Sequence, residues 1–174
     1  MPQLIKDGAL VADRWTLVRD MATMDAVPAA NVIVPLSVWL SADQALIARH
    51  DVGVWLAPAD DPTQFAGDVQ GLPVIAIDFP KFADGRGYST ARLLRERYGF
   101  KGELRAIGDI QRDQLYYLSQ VGFNAFLVRD GKDAQEALQS LRDFSDGYQL
   151  TNRRTPWFRR SGVVGGTTMG GERA

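Results

Sequence analysis

Cysteine is absent from these 174 residues, and histidine occurs once, at His50. The first absence excludes disulfides, thiolate-ligated zinc, cysteine-held iron–sulfur clusters and a thiol nucleophile. The second excludes a metal centre built on several histidines, and no metal site is expected. Any redox role must then draw on a bound organic cofactor such as a nicotinamide or flavin, on a haem held by another residue type, or on a partner protein. No apolar run approaches the ~20 residues of a membrane span, and no secretory signal pattern opens the chain, so a cytoplasmic location is expected. Neither charge sign dominates. The 20 basic and 21 acidic side chains leave a net charge of −1, which argues against a nucleic-acid surface covering the whole protein. There is no P-loop, no Gly-x-Gly-x-x-Gly fingerprint and no nucleophile-elbow serine.

What is present is the material of one α/β domain over residues 1–150, long enough to bury about 70% of its unfolded surface. Leu4-Ile5 and Leu10-Val11 flank Lys6-Asp7-Gly8, which predicts a β-hairpin within residues 1–20, its second arm extended by Trp15 and Leu17-Val18. Residues 21–30 read as a connector. Short apolar runs then alternate with helical spacing. Strands are expected at 31–36, 52–57, 73–77, 102–108 and 123–128, and helices at 37–49, 63–69, 90–98, 109–120 and 134–144. Gly122 is placed to end the fourth helix. Five strands alternating with helices imply βαβ units and a mainly parallel sheet, with right-handed crossovers placing helices on both faces. An open three-layer sheet is favoured over a partial barrel, because five strands are too few to close an eight-stranded one.

The densest chemistry lies between the third strand and its helix. Residues 78–92 hold Asp78, Lys81, Asp84, Gly85, Arg86, Gly87, Ser89 and Arg92 in a strand-to-helix turn, the place where α/β proteins bind ligands. Gly85 and Gly87 permit close approach of a ligand, Ser89 or Thr90 is placed to cap the helix, and Lys81, Arg86 and Arg92 supply positive charge. This pattern suits a small anion or a phosphate-bearing group. It equally suits a turn whose Asp–Arg pairs only fix the loop. Asp109 follows the fourth strand on the same expected edge as Asp78, with Arg112 and Asp113 one turn on. Either carboxylate is a candidate general base, and Asp109 is also a candidate helix N-cap.

Elsewhere the plainer readings prevail. Arg105 alternates with Leu104 and Ala106 inside a strand, as a partly buried ion pair does. His50 follows a helix end, where a cation is favoured. Tyr116, Tyr117, Trp15, Trp39 and Trp55 read as core or boundary residues. Residues 151–174 differ in kind: Arg153-Arg154 and Arg159-Arg160 bracket Trp157-Phe158 ahead of several glycines. Such a tail is expected to be disordered alone, and it suits docking on an acidic partner, contact with a nucleic acid or a solvated state that binds nothing equally well.

Residues 79–89 (Phe-Pro-Lys-Phe-Ala-Asp-Gly-Arg-Gly-Tyr-Ser), 91–95 (Ala-Arg-Leu-Leu-Arg), 102–109 (Gly-Glu-Leu-Arg-Ala-Ile-Gly-Asp), 112–115 (Arg-Asp-Gln-Leu) and Gly122-Phe123 together carry a resemblance. They resemble a bacterial family of unknown function, often labelled as oxidoreductases of sulfite reduction because its genes lie beside the sulfite reductase haemoprotein gene. The likeness spans roughly residues 3–148. It implies a pathway rather than a reaction: an accessory protein of assimilatory sulfite reduction, binding the reductase or its electron donor and a small anion. The alternative it implies is an oxidoreductase borrowing a nicotinamide or flavin. It brings no catalytic residues with it. Sulfite reduction is a multi-electron reaction, and a chain without cysteine cannot itself ligate a siroheme–cluster assembly.

Overall fold

The computed structural model describes residues 3–20, 30–65, 69–81, 83–129, 131 and 133–147. The connector at 21–29 and the basic tail at 151–174 lie outside the described residues. The chain opens as the Asp-Gly pair requires. Strands β1 (Gln3–Lys6) and β2 (Ala9–Val11) pair antiparallel around Asp7 and Gly8, both at positive φ, 50° and 77°. Trp15 and Leu17 do not extend this hairpin. Thr16–Leu17 forms a separate strand, β3, pairing parallel to β4 (Val32–Pro35) at the far edge of the sheet.

From β4 the chain alternates as the apolar runs predict. After it come α1 (Leu36–Leu40), α2 (Gln44–Ile47), β5 (Val52–Leu56), β6 (Val74–Phe79), α3 (Arg86–Arg92), β7 (Glu103–Gly108), α4 (Leu115–Val121), β8 (Ala125–Val128) and α5 (Ala134–Gly147). Several boundaries differ from expectation. The helix expected over 37–49 is broken into α1 and α2, with Asp43 capping the second through the Leu46 amide. Helix α3 begins at Arg86, so Ser89 and Thr90 sit within it rather than at its cap, and it continues as a π-helical turn over Leu93–Arg97. The fourth helix is entered through a 3-10 turn, Arg112–Gln114, capped by Gln111 in a reciprocal box with Gln114, and Asp109 is not its cap. Gly122 does end it.

The sheet has eight strands in the order β2-β1-β8-β7-β6-β5-β4-β3, and it curls into a half-barrel; the open three-layer arrangement is not what forms. Two physical reasons account for this. The parallel strands run in unbroken sequence order, so right-handed crossovers between β4 and β8 wind the same way and their helices stack on one face. Doubly wound sheets need a reversal of strand order, and the described parallel strands have none. The second reason is a tether. Strands β2 and β3 are opposite edges of the sheet, yet only residues 12–15 join them. In a flat sheet, seven strand spacings of about 4.8 Å would hold the edges roughly 34 Å apart. The chain from Val11 to Thr16 reaches at most about 18 Å, so the sheet must bend.

The curl divides the strand side chains. Ile75, Ile77 and Phe79 on β6, Leu104 and Ala106 on β7, and Phe126 and Val128 on β8 face outward into the main core, with Ala91, Leu94, Leu115, Leu118, Leu138 and Leu141 from the helices. The alternate set faces inward. Ile33, Val74, Ala76 and Ile107 form a small inner core against Trp15, Leu17, Trp55 and Leu127. Among the described residues no helix is long and apolar enough to cross a membrane.

Candidate functional site

Strand alternation decides which charges turn inward. Because Ile75, Ile77 and Phe79 face the helices, Asp78 must face the concave side, one residue from the carboxyl end of β6. It is nearly buried, at 8% exposure. A carboxylate so placed needs a cation, and Arg19 supplies it from beyond β3: Arg19 Nη2 donates to Asp78 Oδ1 at 2.8 Å. The Arg19 guanidinium also lies over the Trp55 ring, 5.6 Å from its centroid, while Trp55 Nε1 donates to the Val18 carbonyl at 3.0 Å. Arg19 is thus oriented by a carboxylate and by an aromatic face, and the hydrogen bond to Asp78 holds its pKa above the ordinary arginine value.

Beside this pair, Gly108 ends β7 opposite Phe79, with φ at +96°. A Cβ there would stand 2.4 Å from the Phe79 carbonyl oxygen and 2.8 Å from Asp78 Oδ1, so only glycine fits. The tight crossing lets the Asp109 amide donate to the Phe79 carbonyl at 2.7 Å and carries Asp109 onto the same rim. Arg129, just past β8, lies 3.8 Å from Asp109, an ion pair too long for a hydrogen bond, with its side chain 68% exposed. Arg19, Asp78, Asp109 and Arg129 line one cleft of about 560 Å³, floored by Leu17 and Leu127. Its walls come from the carboxyl ends of β3, β6, β7 and β8, the edge where parallel sheets and barrels bind ligands.

The structure therefore brings Asp78 and Asp109 together and leaves the rest of the expected set elsewhere. Asp84 and Arg86 pair with each other on the surface: Arg86 Nη2 donates to Asp84 Oδ2 at 2.7 Å and Arg86 Nε to Asp84 Oδ1 at 2.9 Å, which keeps the Asp84 carboxyl below its usual range. Arg92 donates to Glu96 one helical turn away. Gly87 is buried, and a Cβ on it would meet the Phe79 ring at 2.5 Å, so its smallness serves packing of α3 on β6 rather than approach of a ligand. Lys81, Gly85 and Ser89 are exposed. Arg112 pairs with Glu136 beside a separate cavity of about 700 Å³, floored by Ile110, Leu115 and Val128.

Arg19 and Arg129 were not singled out by the sequence. Arg129 was within reach, since it follows the fifth apolar run as Asp109 follows the fourth. Arg19 was hidden by the assignment of residues 15–18 to the hairpin. Arg105 is the buried ion-pair residue its strand position suggests, 1% exposed and bonded to both Asp13 and Glu103.

No curated protein matches this chain. A family model described as a bacterial protein of unknown function matches residues 53–158, taking in Asp78, Gly108, Asp109 and Arg129 and leaving Asp13 and Arg19 outside. The chain belongs to this bacterial family of unknown function, DUF934.

Proposed function

We propose that this protein is an oxyanion-binding accessory protein of assimilatory sulfite reduction, with its ligand held between Arg19 and Arg129 at the half-barrel mouth. The observation that carries the reading is the setting of Arg19. One N–H is fixed on Asp78 and the guanidinium plane rests on Trp55, so its remaining donors are pre-oriented beside the cleft. Arg129 is the movable second arm, held only loosely by Asp109. A tetrahedral or pyramidal oxyanion matches two such forks. The pathway comes from the family resemblance, which also suggests the reductase or its electron donor as the partner.

The test is a thermal-shift series with sulfite, sulfate and phosphate on the full chain. A rise of several degrees, lost in Arg129→Ala and kept in Arg86→Ala, is the expected result. Loss with Arg86→Ala instead would move the ligand to the exposed turn at residues 81–92. A second reading, an oxidoreductase borrowing a nicotinamide or flavin, draws on Asp109 as a partly exposed carboxylate at the same rim. It expects the stabilisation to come from the cofactor rather than from the inorganic ions.

A further inference from the structure

The inner face has a second cavity, at the opposite end of the strands from the cleft. It measures about 350 Å³, and Lys6, Arg14, Trp15, Glu103 and Arg105 contribute to its walls. Its position follows from register: Glu103 opens β7, and Lys6 pairs with Ala125, which opens β8.

The charges around it form a closed chain with one member left over. Arg105 Nη1 and Nη2 donate to the two Asp13 oxygens at 2.8 and 3.0 Å. Its Nε donates to Glu103 Oε1 at 2.7 Å, and Lys6 Nζ stands 2.8 Å from Glu103 Oε2. Two cations and two carboxylates cancel. Arg14 adds one positive charge and has no ion pair among the described residues. The buried Arg105 commits three of a guanidinium's five N–H groups to these carboxylates, so the exposed Arg14 is the cation left to meet a ligand. The remaining walls are apolar: Leu4, Val11 and the half-buried Trp15 ring.

We propose that this cavity is a second binding site, distinct from the cleft, for a small organic monoanion consisting of a carboxylate on an apolar or aromatic body. One uncompensated cation calls for one negative charge. Planar guanidinium donors match a planar carboxylate, and the ring and aliphatic walls match the body. A dianion would bring its second charge against Glu103. The volume lies at the lower end of pockets that hold small molecules.

The experiment titrates the full-length protein with millimolar benzoate against chloride at matched ionic strength. It follows the indole N–H resonances by NMR, with Trp15 assigned through Trp15→Phe. The expected result is a saturable shift of the Trp15 resonance while that of Trp39 stays still. Arg14→Ala, an exposed change that leaves the buried network intact, should weaken binding about fivefold or more. Arg129→Ala, in the other cleft, should leave it unchanged. No saturable shift at Trp15, undiminished binding to Arg14→Ala, or equal loss in Arg129→Ala would each overturn the assignment.

Discussion

The exposed turn ahead of α3 and the concave face of the sheet carry similar residues and use them differently. In that turn and the helix it opens, charges find partners two or four positions away: Arg86 on Asp84, Arg92 on Glu96. On the concave face, beside the in-strand Arg105–Glu103 pair, they bridge distant parts of the chain: Arg19 on Asp78 across 59 positions and Arg105 on Asp13 across 92. The contrast shows what charge density in a sequence means. On an exposed segment, carboxylates and guanidiniums close in sequence satisfy each other at the surface and contribute little. A charge alternating with apolar residues inside a strand is carried into the interior, where it must be answered from elsewhere in the fold.

The sharpest way to break the comparison is to remove the central cation of the concave face. Arg105→Met leaves Asp13 without its ion-pair partner, held only by the Trp15 amide, and Glu103 with Lys6 alone, and should cost about 3–5 kcal/mol in urea unfolding. Adding Asp13→Leu should recover part of that loss, because an apolar pair replaces an orphaned charge. If the single variant unfolds like the parent, the concave network is no more consequential than the surface turn.

A smaller effect is expected where the turn packs on the sheet. Gly87→Ala puts a methyl against the Phe79 ring and should cost about 1–3 kcal/mol by overpacking, also read by urea unfolding. The smallest effect belongs to the turn's own ion pair. Arg86→Ala should leave the unfolding midpoint at neutral pH unchanged while the Asp84 carboxyl titrates higher, nearer its ordinary range, in carbon NMR. The sign follows from the lowered Asp84 pKa: whatever the pair contributes is present above the ordinary carboxylate range and fades as pH falls through the lowered value. A large drop in midpoint would erase the distinction between the two regions.

Much of the fold was legible because local rules act on neighbours. Asp7-Gly8 required its hairpin turn, the five central apolar runs became β4 to β8, and Gly122 ended α4. Asp78 and Asp109 were recognisable as strand-end carboxylates for the same reason. Arg19 was not, because β3 is only two residues long and lies across the sheet from the hairpin it follows in sequence.

The sequence alone therefore determined the alternation of elements, the turn chemistry and which strand positions carry charge, all consequences of interactions within a few residues. Only the tertiary structure decided that the strands run in unbroken order, that residues 12–15 bend the sheet into a half-barrel, and that Arg19 meets Asp78. Those outcomes depend on chain crossing and edge-to-edge tethering between segments far apart in sequence, which no local pattern encodes.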